Sequence, residues 1–187
     1  VITGHFGIAA AVRSGWRDTS LLWLLPASVA PDLLDVAYAL VGICSPFGLY
    51  SHTVPAVAVL ALAFGGVAYL ATGSRNTALA AAVLVLLHLP ADMITGYKYV
   101  WPGRPMMGLD LYTRPALDFV LESFIVVGGW WLLRRDARVP RWATVGVAMC
   151  GLLLAQAVFD SWKIGKPSAC GAVSSELQAR KPVQKTL

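Results

Sequence analysis

From Val36 to Ser74 the chain carries no aspartate, glutamate, lysine or arginine. A soluble domain has about 25% charged residues, so a run this long without charge points to a bilayer as the solvent. Composition agrees: of 187 residues 57% are hydrophobic and 13% charged, with a mean hydropathy of +0.65. Ser45-Pro46-Phe47-Gly48 breaks the run and Ser51-His52-Thr53 opens its second half, which predicts a first full span over 53–71. A span needs about 20 apolar residues, and three further runs qualify. The second covers 77–94, the third 116–133 and the fourth 142–159.

The rest of the chain fits around these spans. Residues 1–17 join a small-residue stretch to Arg13 and Arg17, a pattern suited to a short interfacial helix. Thr19 to Val41 is apolar but interrupted by Pro26, Pro31, Asp32 and Asp35, which predicts a broken or re-entrant pair of half-helices. Such backbone is tolerated at membrane depth only where it packs in protein or lines a cavity. Gly96 to Pro115, rich in Tyr, Trp, Pro and Gly, reads as an interfacial cap with anchoring aromatics. The expected fold class is therefore all-α: a polytopic helical membrane protein of about four spans plus N-terminal interfacial and broken helices. Residues 1–164 form one membrane-embedded domain, and 165–187 a polar tail expected to be disordered.

The start of the chain lacks a basic segment followed by an apolar core, so it does not read as a signal peptide. Of the three cysteines, Cys44 and Cys150 fall in apolar runs and read as small apolar fillers; Cys170 lies in the tail. The net charge of +5 sits in loops and tail, which suits lipid headgroups and gives no reason to expect a nucleic-acid partner.

The polar exceptions carry the chemistry. His88 and Asp92 lie four apart, on one face of a helix, at the end of an apolar span. A carboxylate there meets the negative end of the helix dipole, and a bound cation would remove that penalty. Because consecutive spans alternate direction, His52, His88, Asp92, Asp118 and Glu122 fall on one membrane face. Asp32 and Asp35 join them if their segment is re-entrant, and His5 if the N-terminus stays on that side. Imidazole and carboxylate are ligands for zinc and similar divalent ions. These eight candidates exceed one tetrahedral ion's needs, so the expectation is one or two metals, with the surplus carboxylates orienting ligands or acting as general base. Catalysis would use a metal-activated water.

Pro31-Asp32-Leu33-Leu34-Asp35, Tyr50-Ser51-His52-Thr53, His88-x-x-x-Asp92 and the stretch from Trp101-Pro102-Gly103 through Gly108-Leu109-Asp110-Leu111-Tyr112 to Glu122 together resemble the YdjM/DUF457 family of inner-membrane metal-dependent hydrolases. The resemblance covers residues 5–133. It implies a multi-pass protein of the bacterial inner membrane and a distant relation to the zinc-dependent phospholipase C/P1 nuclease group. By it, His5, Asp32, His52, His88, Asp92 and Glu122 are the metal ligands, with Asp35 and Asp118 as catalytic or supporting neighbours and zinc the favoured ion. The implied function is hydrolysis of a phosphoester, in the first instance a lipid-linked one. Arg104 and Arg114, in the aromatic loop, are weaker candidates for holding its phosphate. Two departures stand out. Gly96, Tyr97 and Lys98 occupy a region where many members carry a further histidine, and Phe47 and Gly48 stand where some carry another.

Two other functions fit the same residues: an ion or proton pathway of a transport protein, and an assembly partner whose site has decayed. A pathway would place polar residues along the full depth of the spans, and the far halves here are nearly bare. For sidedness, the site face counts seven basic residues (Arg13, Arg17, Lys98, Arg104, Arg114, Lys163, Lys166) against five opposite, where four arginines crowd one short loop. The crowded loop looks cytoplasmic by the positive-inside rule.

Overall fold

The computed structural model describes residues 3–136, 138, 139 and 141–161. The expected polar tail falls outside them. The order is α1 (Gly4–Gly15), α2 (Leu21–Ser28), α3 (Ala30–Leu40), α4 (Val54–Thr72), α5 (Arg75–Thr95), the short strands β1 (Lys98–Tyr99) and β2 (Met106–Met107), α6 (Pro115–Leu133), α7 (Arg141–Thr144) and α8 (Gly146–Ser161). The fold is helical, as the apolar periodless runs require. Helices α4, α5 and α6 are long and apolar enough to cross a membrane, and the bent pair α2–α3 makes a fourth if counted as one span.

Local signals set the helix ends. Pro55 and Pro115 lie in the first turns of α4 and α6, where the missing N–H costs nothing. Gly73, at φ +66°, ends α4 in the left-handed conformation, and the Ser74 hydroxyl accepts from Thr77 N at 3.2 Å to start α5. Pro26 and Pro31 bracket the break at Val29, and α2 and α3 diverge by 61°. The fourth expected span is shorter than the sequence implied. It is interrupted after Thr144, where two β-branched residues and Gly146 weaken the helix, leaving α8 as a short apolar helix.

Helix α1 is packed into the helical bundle. Its Gly4, His5, Gly7, Ala9, Ala10 and Arg13 are buried, and it crosses α6 where a Cβ on Gly129 would run into the Gly7 carbonyl. Small residues allow this approach, as they do between membrane helices generally. Twelve residues of helix extend about 18 Å, so the two ends of α1 lie at different levels. His5 meets the site residues, whereas Arg13 pairs with Asp136 beyond the end of α6 at 2.9 Å, both side chains buried. Asp18, just past α1, pairs with Arg138 at 2.9 Å. Arg13 and Arg17 therefore belong to the face opposite the site, which corrects the basic-residue count made from sequence.

The apolar core lies between these ends, built from Leu24, Ala27, Val57, Ala61, Leu84 and Val85. Large apolar side chains such as Leu62, Leu70, Val120, Phe124 and Leu154 point outward, as lipid-facing residues do. The aromatic loop is pinned over the site end: β1 pairs antiparallel with β2, and Val54 N donates to Val100 O at 2.9 Å. Cys44 is not a filler in an apolar helix. It lies in the turn after α3 and is disulfide-bonded, while Cys150 is free and exposed on α8.

Candidate metal centre

Three segments bring four side chains together. Asp32 stands in the first turn of α3, His52 in the turn before α4, and His88 and Asp92 one helical turn apart near the end of α5, on either side of Pro90. One ligand atom from each lies within 4.8 Å of all the others. His52 Nε2 is 3.3 Å from Asp32 Oδ1, 3.1 Å from Asp92 Oδ2 and 3.1 Å from His88 Nε2. His88 Nε2 is 3.6 Å from Asp32 Oδ1 and 3.7 Å from Asp92 Oδ2. Both histidines and Asp92 are buried; Asp32 keeps a third of its side chain exposed and marks the open side.

The outer bonds decide which ring nitrogens face inward. His88 Nδ1 lies 2.8 Å from the Ser28 carbonyl, which can only accept. The neutral ring therefore carries its proton on Nδ1 and presents a bare Nε2 to the cluster. On the other side, the Ser51 hydroxyl donates to Asp35 Oδ1 at 2.6 Å, and its oxygen lies 2.6 Å from His52 Nδ1. That relay assigns the His52 proton to Nδ1 and turns its Nε2 inward as well. Gly48, at φ +74°, makes room for this ring, because a Cβ there would collide with it.

Four acceptors thus converge, an arrangement that repels itself unless a cation lies among them. Ligand atoms about 2.1 Å from a tetrahedral zinc are about 3.4 Å apart. The five separations above, 3.1 to 3.7 Å, bracket that value. The residues present fit a divalent ion, and the group could hold one. Burial opposes charge on His52 and Lys98, but Asp32 and Asp92 outweigh it at His52, and Asp92 and Asp32 at Lys98, so both pKa values are raised.

The other candidates take different places. His5 is buried against the group without being one of the four. Its Nε2 lies 3.2 Å from the other Asp92 oxygen, Oδ1, and its ring stacks on His88 at 3.9 Å between centroids. Asp35 sits behind His52, as described. Glu122 is fully buried on α6, but its Oε2 accepts from Thr3 N at 3.2 Å and Gly4 N at 3.1 Å, the orphan donors at the start of α1. Asp118 is buried one turn earlier on the same helix. Arg104 and Arg114 are exposed.

Among the described residues, the cation that reaches the cluster was not singled out from sequence. Lys98 extends from β1 to place Nζ 3.1 Å from Asp92 Oδ2. Its one signal was position, a lysine three residues past the end of a helix whose last turn carries a carboxylate. Ser51 was legible only as a neighbour of His52, and the Ser28 carbonyl has no side-chain signature. No family model, curated protein or solved structure matches this chain.

Proposed function

We propose that the chain is a membrane-embedded metal-dependent hydrolase of the YdjM type, residing in the bacterial inner membrane and acting on a phosphoester, in the first instance one carried by a lipid. The observation that carries this reading is the convergence of four inward-facing acceptors, drawn from α3, α5 and the turn before α4, within 4.8 Å of one another.

Asp32, His52, His88 and Asp92 would hold the ion, zinc being the choice for this mixed nitrogen and oxygen set. A bound zinc supplies Lewis acidity and brings the pKa of a coordinated water to about 7. The Ser28 carbonyl and the Ser51–Asp35 relay hold the two rings in the required tautomers. His5 fixes the Asp92 carboxylate from behind. Asp35, partly exposed at the open side, is positioned to take a proton. The exposed apolar residues Leu33, Val36 and Leu40 on α3 would let a lipid approach that side from the bilayer.

A transport pathway is less well supported. The core between the site and the buried Arg13–Asp136 pair is apolar, built from Ala9, Leu24, Ala81 and Leu84, so the described residues offer no polar route across.

Metal analysis of the chain purified without chelator, beside His88→Ala, tests the reading. Bound zinc in the wild type, lost in the variant, together with turnover of a chromogenic phosphomonoester or phosphodiester is the expected result. A wild type without metal would overturn it, and metal without turnover would remove the hydrolase.

A further inference from the structure

Lysine is rarely buried without a partner, and Lys98 keeps only 18% of its side chain exposed. Its backbone has little freedom to withdraw. Lys98 pairs with Met107 across the β1–β2 ladder, the next residue, Tyr99, meets the ring of Phe47 edge-on at 6.5 Å between centroids, and Val100 accepts from Val54. The side chain therefore delivers its ammonium to one place, the oxygen Asp92 Oδ2.

That oxygen is already claimed. It faces His52 Nε2 at 3.1 Å and His88 Nε2 at 3.7 Å, and it is one of the four acceptors spaced for a divalent ion. An ion held by Asp92 Oδ2 at about 2.0–2.2 Å would stand within a few ångströms of the ammonium. Two positive centres so close repel in a poorly solvated site. An anion lying between them removes the conflict, because it ligates the ion with one oxygen and accepts from the ammonium with another. Lysine suits this role: it is a compact point charge with three donors and binds phosphate as such.

We propose that Lys98 is an anion-positioning residue, paired with Asp92 while the cation site is empty and turned to a phosphoryl oxygen of the substrate when the site is filled. This rests on the metal reading above and adds to it the group that recognises the phosphate. It also shifts that role from the exposed Arg104 and Arg114 to a residue inside the site. A purely structural role, in which Lys98 only offsets the charge of Asp92, makes a different forecast.

The test uses the full chain in detergent, loaded with zinc and freed of excess, with inorganic phosphate as the probe in calorimetric titration. Lys98→Gln should keep the zinc stoichiometry, with zinc affinity equal to or above wild type because a competing cation is gone. It should lose about 10- to 100-fold in phosphate affinity, the range expected for one charged hydrogen bond. Lys98→Arg should recover part of the loss. Unchanged phosphate affinity in a zinc-loaded Lys98→Gln protein overturns the proposal and leaves the metal reading standing, as does a zinc-loaded wild type that binds no phosphate. Loss of zinc on Lys98→Gln shows the structural role instead. A wild type that takes up no zinc removes both readings.

Discussion

His88 Nδ1 lies 2.8 Å from the carbonyl oxygen of Ser28, so the break between α2 and α3 is held directly to α5 at the site. The bond fixes Nε2 as the atom of His88 that faces the cluster. In nitrogen-15 spectra of the ring-labelled protein at neutral pH, His88 should show the Nδ1–H tautomer. Adding zinc should move its Nε2 resonance and leave Nδ1 protonated. A zinc-dependent change at Nδ1 instead would place the ligand atom on the wrong side of the ring.

The relay from His52 through Ser51 to Asp35 does for the second ring what the Ser28 carbonyl does for the first. Outer partners of this kind are worth about 10- to 100-fold in metal affinity. Ser51→Ala and Asp35→Asn should each weaken zinc binding by that order in a chelator competition, with circular dichroism unchanged. Their effects should not add, because either change interrupts one relay. Additive losses would show that the two residues act separately.

Glu122 receives the first amide groups of α1. Glu122→Ala leaves buried donors unmet and should cost about 1–3 kcal/mol, read as a lower thermal midpoint in detergent. Zinc stoichiometry should stay at the wild-type value, since Glu122 is not one of the four-residue group. Loss of zinc from Glu122→Gln, which keeps the shape and one acceptor, would return the residue to the ligand set.

The α1–α6 crossing depends on two glycines facing each other. A Cβ at Gly129 would meet the Gly7 carbonyl, whereas a Cβ at the neighbouring Gly128 meets nothing within 4 Å. Gly129→Ala should destabilise by about 1–3 kcal/mol through overpacking. It should also weaken zinc binding, because α1 carries the His5 that steadies Asp92. Gly128→Ala should be neutral or slightly stabilising, as alanine is the better helix former. Equal effects at the two positions would mean that the helices do not cross this closely.

What the sequence disclosed follows from how local each determinant is. The span predicted over 53–71 is observed as Val54–Thr72, because a proline, a glycine and an uninterrupted apolar run act within a few residues of one another. The four-residue spacing of His88 and Asp92 made their shared face visible, and alternation of span direction brought His52 to them. Asp32 needed the broken segment to turn back, which its prolines signalled. The direction of α1 was not legible: a short run of small residues suits an interface as well as a bundle interior, and the partner glycine lies more than a hundred residues away. The contact of Lys98 with Asp92 was hidden for a similar reason. A lysine in an aromatic loop looks like a headgroup anchor until the strand pairing shows where its side chain is aimed.

Placing Arg13 and Arg17 at the far end changes the topology argument. Among the described residues that end now has seven basic side chains (Arg13, Arg17, Arg75, Arg134, Arg135, Arg138, Arg141) against three at the site end (Lys98, Arg104, Arg114). By the positive-inside rule the arginine turn is then expected in the cytoplasm and the candidate metal centre on the outer side. A protease-cleavable tag inserted after Gly103, an exposed turn position in the aromatic loop, should be cut in intact spheroplasts. The same tag after Arg138 should be cut only once the membrane is permeabilised. The reverse pattern would put the site on the cytoplasmic side.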